Sequence, residues 1–192
     1  RDRTLYVKAI PRAAMVRTLG RTLLRHPGAV VRTGLQALAS GRLDLGAGAK
    51  AVLQLLEAML VWDHCQRHGV HAIHAHFGQA PASVAWWVAR LGGAIGDDRW
   101  TWSVTIHGWH EFVTEDTSRL REKLTAADLV VCVSDFTRAQ VLRIAPRSAW
   151  DEVAVVRCGI DLEAFAPRAP RPVGSPPLVV VTARLAAEKG HL

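Results

Sequence analysis

The segment Thr105-Ile-His-Gly-Trp-His-Glu-Phe112 places two imidazoles, a carboxylate and a glycine directly after a run rich in β-branched and aromatic residues. If Trp100 to Ile106 is a strand, His107 falls at its carboxyl end, where open α/β sheets put their ligand crevices. An imidazole there can donate to a substrate hydroxyl or a phosphate near neutral pH. Gly108 permits a sharp turn and a close backbone approach to a ligand. Glu111 lies within reach of either histidine in a tight loop. His107 is therefore the catalytic candidate, and Gly108 and Glu111 are candidates for lining the cleft. A turn histidine bonded only to backbone is the competing reading. No GxSxG nucleophile elbow is present, which disfavours a Ser-His-Asp hydrolase.

Three more groups could carry chemistry. His71, His74 and His76 fall within six residues. In a strand, His74 and His76 share a face and His71 points the other way. No Cys or carboxylate follows at ligand spacing, so a metal site is disfavoured. The spacing favours histidines that pack or hydrogen-bond at a strand end, with His76 as the one to line a ligand cleft. Arg184, Lys189 and Gly190 follow the apolar stretch Leu178 to Thr182. A planar guanidinium fork and a point charge on a loop after a strand suit a diphosphate; two cations in a loop are also commonly just solvated. There is no Walker motif and no GxGxxG. Finally, Arg12, Arg17, Arg21, Arg25 and Arg32 form a ladder. Arg17, Arg21 and Arg25 recur every fourth residue and share one helix face. That face reads either as solvated or as a surface for anionic lipid.

The charge balance supports a local basic surface. Residues 1–50 hold ten Lys/Arg against two Asp/Glu, while the remaining residues hold fourteen against fifteen. No aromatic interleaving or nucleic-acid motif accompanies the basic stretch, so no nucleic-acid partner is expected. An apolar fraction of 49% with 21% charged residues marks a globular chain. No unbroken apolar run approaches the ~20 residues that span a bilayer. The three cysteines, Cys65, Cys132 and Cys158, are odd in number and widely spaced. They argue against a disulfide scaffold and for a reducing, cytoplasmic setting.

These groups need elements to position them. Pro11 and Pro27 open two N-terminal helices, and the glycines at 41, 46 and 48 mark a break. Ala49 to His68 is a long, largely buried helix ending at Gly69. Val70 to Phe77 alternates as a strand, and Gln79 to Leu91 is a helix closed by Gly92-Gly93. After the Trp100 to Ile106 strand come a helix at Ser118 to Ala127 and a strand at Leu129 to Val133. Ser134 or Asp135 caps a helix over Phe136 to Ile144, and Val153 to Val156 is a strand. Five prolines between Pro167 and Pro177 read as a linker, and Leu178 to Thr182 as the first strand of a second domain. Strands spaced by helices mean βαβ units with right-handed crossovers. Their apolar character predicts a parallel sheet covered on both faces.

Five segments in order resemble family 4 glycosyltransferases of the GT-B fold. His74-Ala-His-Phe-Gly78 resembles their strand-and-turn, and Thr105 to Phe112 resembles their T-x-H-G loop. Ala127-Asp-Leu-Val-Val-Cys-Val-Ser134 resembles A-D-x-V-x-x-x-S. Val156 to Pro167 resembles N-G-[VI]-D-x-x-x-F-x-P, with Cys158 in place of Asn. Ala183-Arg-Leu-Ala-Ala-Glu-Lys-Gly190 resembles G-R-L-x-x-E-K-G, with Ala183 in place of Gly. The resemblance, of the bacterial exopolysaccharide type, implies a Rossmann-like N-terminal domain. Its parts would be a basic helical segment at 1–69, strands and helices at 70–166, a linker at 167–177 and the start of a donor domain at 178–192.

It further implies a retaining transfer from a nucleotide-sugar to a glycan or lipid-linked acceptor in cell-surface polysaccharide synthesis, with no cofactor and no metal. His107 would hold a donor hydroxyl, Ser134 would lie beside the donor, and Arg184, Lys189 and Gly190 would hold the diphosphate. Arg17, Arg21 and Arg25 would face an anionic membrane from the cytoplasmic side. A nucleotide-sugar epimerase of the same fold, or a non-catalytic GT-B-derived binding module, are the alternatives. The family's opening strand and its donor-domain carboxylates are not visible, so the sequence is expected to be truncated at both ends and inactive alone.

Overall fold

A computed structural model describes residues 4–41, 44–113, 119–165, 176, 179–186 and 189–190. The chain divides into two units, residues 1–158 and 159–192. The first contains helices α1 (Arg12–Arg25), α2 (Pro27–Ala39) and α3 (Leu45–Arg67), then strand β1 (Ala72–His76) and helix α4 (Ala80–Ile95). Strand β2 (Thr101–Ile106) leads to the short α5 (Trp109–Val113), and α6 (Leu120–Ala126) precedes β3 (Leu129–Cys132). Helix α7 (Asp135–Ile144) and β4 (Val153–Val155) complete the unit.

Local chemistry explains most of these boundaries. Pro27 begins α2 where its missing N–H costs nothing. Asp44 caps α3, its carboxylate accepting the N–H groups of Gly46 and Ala47 at 2.8 and 3.2 Å. The expected glycine break is therefore displaced: Gly46 and Gly48 lie inside α3, because the Asp44 cap and the helix they enter outweigh their entropic cost. Helix α4 likewise continues through Gly92 and Gly93, and ends at Gly96 in the left-handed conformation, φ +93°. Helix α3 is the one described helix long and apolar enough to cross a membrane, although charged and polar residues interrupt its apolar run. In this unit Ala51, Leu55, Ala58, Met59 and Trp62 of α3 are buried in a core shared with α2 and α4.

The sheet is wholly parallel, in the order β1-β2-β3-β4. Ala75 pairs with Val104, Val104 with Val130, and Val130 with Val153. Together with Trp102, Ile106 and Cys132 these residues form a core with Ala82, Ala85 and Trp86 of α4, Leu120 and Leu124 of α6, and Val141 of α7. On its other side α4 sends Trp87, Val88 and Leu91 into the core shared with α2 and α3.

The expectation of a sheet covered on both faces does not hold among the described residues. Ala72, His74 and His76 of β1 and Leu129 of β3 are exposed on the opposite face. Strands laid down in sequential order by right-handed crossovers carry their connecting helices to one and the same side.

In the second unit, Leu162 to Phe165 form a turn closed by the Phe165 N–H on the Leu162 carbonyl at 3.3 Å. The strand expected from Leu178 to Thr182 is not formed over residues 179–182, which are exposed and carry no ladder. An extended segment becomes a strand only when a neighbour takes its N–H and C=O groups. Leu178, and the predicted linker apart from Pro176, lie outside the described residues.

The packing of α4 yields a paired test. A Cβ at Gly92 would fall 2.2 Å from the Trp100 ring, whereas one at Gly93 meets nothing within 4 Å. Gly92→Ala is expected to destabilise the chain by about 1–3 kcal/mol through overpacking. Gly93→Ala should stabilise it by about 0.5–1 kcal/mol. Urea denaturation of the two variants checks both signs.

Candidate active site

The carboxyl ends of all four strands gather polar side chains. His76 ends β1, His107 follows β2, Ser134 follows β3 and Arg157 follows β4. His76 Nδ1 and His107 Nε2 lie 2.9 Å apart, so one ring donates an N–H to the bare nitrogen of the other. Their centroids are 5.1 Å apart, and the Phe77 ring lies 4.5 Å from that of His107. Phe77 has φ +72°, a left-handed conformation that costs a bulky residue about 1–2 kcal/mol. That conformation swings the Phe77 ring over His107 and leaves it half exposed.

His74 lies one step back on the same face as His76, as strand periodicity predicts. Its Nδ1 meets Ser103 Oγ at 2.7 Å and its Nε2 meets Thr105 Oγ1 at 2.9 Å. Partial burial, reinforced by His76 and then His107, lowers its pKa below the ordinary imidazole range. His71 points away, 3.5 Å from Asp97 and 5.7 Å from the Trp100 ring. Among the described residues no three side chains of His, Cys, Asp or Glu converge as metal ligands.

Glu111 differs from its expected place. It does not line the cleft or touch an imidazole, but is buried beneath the loop. Its Oε2 accepts the N–H groups of His107 and Gly108 at 2.6 and 2.9 Å. Its Oε1 accepts the N–H of Gly78. Three backbone donors aimed at one carboxylate satisfy a charge that burial would otherwise penalise. Gly108, φ +153°, provides the turn that brings its N–H into this set.

Lys123 of α6 carries no sequence signal and was not anticipated. Its side chain is buried, and its ammonium donates to the carbonyls of Gly78 and Gln79 and to Ser83 Oγ. Three acceptors use all three ammonium protons. Burial still pulls its pKa down to about 7, with Arg119 adding to the effect. Gly78 is thus held at its N–H by Glu111 and at its carbonyl by Lys123. A Cβ there would lie 2.7 Å from Leu120 Cδ1, so a larger residue would have to displace the buried Leu120 side chain.

Ser134 caps α7, its Oγ accepting the Thr137 N–H at 3.1 Å, as its position before the helix predicts. Asp135 pairs with Arg157, a contact that joins the ends of β3 and β4. Phe77, Trp109, Phe136 and Val156, one after each strand, are exposed at this edge. Cys132 lies buried beneath it, and burial pushes its thiol up to about 11, which makes it a packing group. All three cysteines are free. In the second unit Arg184, Lys189 and Gly190 are exposed, with Gly190 at φ +66° and the Lys189 N–H on the Ala186 carbonyl at 2.9 Å. Arg17 and Arg25 are exposed on α1, but Arg21 turns toward Asp63, 3.8 Å away.

A parallel sheet with crossover helices and polar groups gathered at its carboxyl edge defines a Rossmann-like domain of the GT-B kind. The model for Glycosyltransferase Family 4 matches residues 20–164, and the chain belongs to that family. Its chemistry is therefore of the glycosyltransferase type, with a sugar donor and an acceptor. No curated protein and no solved structure matches the chain.

The depressed Lys123 pKa has a signed consequence. Between about pH 7 and 10.5 the folded protein binds fewer protons than the unfolded chain, so stability rises with pH across that window. One group supplies at most about 1.4 kcal/mol per pH unit. Unfolding free energies at pH 7 and 9.5 should show this rise in the wild type and a flatter profile in Lys123→Met.

Proposed function

We propose that the chain serves a retaining transfer of a sugar from a nucleotide-sugar to a glycan or lipid-linked acceptor, in the synthesis of a cell-surface polysaccharide. The observation that carries this reading is the His76–His107 pair, braced by Phe77 at the carboxyl edge of the sheet. One bare nitrogen and one N–H shared between two rings offer both an acceptor and a donor to sugar hydroxyls. His107 binds a donor hydroxyl near the reacting carbon, and His76 orients it. Ser134 and the exposed rings of Phe77, Trp109 and Phe136 stand at the same edge, and apolar faces beside a few polar groups suit a small-molecule site. Arg184, Lys189 and Gly190 bind the diphosphate, and their positive charge stabilises the departing nucleoside diphosphate. The reading needs no cofactor and no metal.

A membrane-bound acceptor fits the N-terminal helices. Helices α1 and α2 expose Val16, Leu24, Val31, Leu35 and Leu38 beside the exposed Arg17, Arg25 and Arg32. Apolar and basic residues together on exposed helices suit the interface of an anionic bilayer. On this reading the protein works at the inner face of the cell membrane, peripheral to it.

The test of transfer uses the longest reading frame that contains this sequence, supplied with a panel of nucleotide-sugars and a polyprenyl-linked sugar acceptor. Product with the donor's anomeric configuration, and a loss of about a hundredfold or more in kcat for folded His107→Ala, are expected. An inverted product, or wild-type turnover in the variant, overturns the assignment. Vesicles containing phosphatidylglycerol should sediment the protein at low salt and release it at high salt. Equal binding to neutral vesicles would remove the electrostatic part of the membrane reading.

A further inference from the structure

At the amino ends of the strands, opposite the His107 edge, α1, α3 and α4 end around a cleft of about 640 Å³. Small-molecule sites occupy roughly 300–1,000 Å³. The wall of this one brings four guanidiniums, Arg21, Arg25, Arg67 and Arg99, against two carboxylates, Asp63 and Asp97.

The carboxylates are already committed. Asp97 accepts from Arg99 at 2.9 and 3.2 Å and from Gln66 at 3.3 Å. Asp63 pairs with Arg67, one turn along α3. Arg21 reaches Asp63 only at 3.8 Å, beyond hydrogen-bond range. The Arg25 side chain makes no hydrogen bond or ion pair among the described residues. Four guanidiniums against two carboxylates therefore leave about two positive charges in excess at the cleft, where Arg21 keeps only a loose ion pair with Asp63 and lies one helical turn from Arg25.

A last-turn cation complements the helix dipole, which accounts for Arg25 alone. It does not account for Arg21, and like charges four residues apart on a helix repel. A dianion between them would remove that repulsion and use both planar forks. The remaining wall includes the apolar bodies of Trp62 and Ile95. The buried indole N–H of Trp62 has no partner among the described residues.

We infer that this cleft binds a phosphomonoester, its phosphate held between Arg21 and Arg25 and its carbon skeleton lying against Trp62 and Ile95. The site is separate from the sugar-transfer edge and does not rest on the transfer reading. The same phosphomonoester chemistry is offered by a free sugar phosphate and by the headgroup of phosphatidic acid.

The indole resonance of Trp62, assigned with Trp62→Phe, is the reporter in ¹H–¹⁵N spectra. Saturable shifts with glucose 6-phosphate, and none with glucose, are expected. Arg25→Gln, an exposed substitution outside both cores, should weaken the affinity about tenfold or more, the loss of one charge-assisted contact. Shifts with phosphatidic acid bicelles but not with glucose 6-phosphate would support the site and assign it to lipid. No shift with either, equal binding of glucuronate, or unchanged affinity in Arg25→Gln would overturn it. His107→Ala should leave this binding intact, which separates its failure from that of the transfer reading.

Discussion

The peptide of Gly78 is the constraint on which the carboxyl edge depends. Glu111 takes its N–H, Lys123 holds its carbonyl, and the Leu120 and Ile106 side chains fill the space a Cβ would need. Each charged group comes from a different segment, after β2 and from α6. The same carboxylate holds the N–H groups of His107 and Gly108, and the same ammonium holds Gln79 and Ser83 at the start of α4. One buried network therefore sets the turns after β1 and β2 relative to each other. The 2.9 Å contact of His76 with His107 follows from that setting. Such a network is secure only when fully satisfied, since a buried charge deprived of its partners costs several kcal/mol. Here Glu111 meets three donors and Lys123 three acceptors.

The sheet gives this edge its asymmetry. Its helix-covered face is filled by Trp102, Val104, Ile106, Val130 and Cys132, while the other carries His74, Ser103 and Thr105 joined by hydrogen bonds. A one-residue slip in register would exchange the two sets, placing His74 in the apolar core. The apolar face thus fixes the strands, and in doing so fixes where the histidines stand. Helix α4 extends the effect outward. Trp86 packs on the sheet side and Trp87 on the α2–α3 side, and the Arg90 guanidinium lies 5.1 and 5.7 Å from their rings. Arg90 also donates to Gln36 of α2 at 3.0 Å, tying the basic helical segment to the sheet layer.

Much of this was readable from residue order. The alternation of Val70 to Phe77 assigned His74 and His76 to one face and His71 to the other, because a strand has only two sides. The run Leu129 to Val133 read as a strand from its apolar, β-branched residues, and Ser134 as the following cap because its hydroxyl accepts an N–H only three residues on. The T-x-H-G segment located His107 at the strand end for the same local reason. Readings that depended on distant partners fared differently. Glycines at 46, 48, 92 and 93 looked like breaks but are carried inside helices by caps and packing. The stretch after Leu178 looked like a strand, yet the described residues 179–182 carry no ladder.

The sequence by itself determined the βαβ order, the parallel sheet, the position of His107 and the basic character of the N-terminal helices. These follow from periodicity, capping and composition, which act over a few residues at a time. Only the tertiary structure decided that Glu111 lies under the loop, that Lys123 is buried against Gly78, and that Arg21 faces Asp63. It also decided that, among the described residues, one face of the sheet is left uncovered. A charge takes its place according to which donors, acceptors and apolar walls surround it, and those are brought by segments tens of residues away. A helix takes its side of a sheet according to strand order and crossover hand, which no single segment contains.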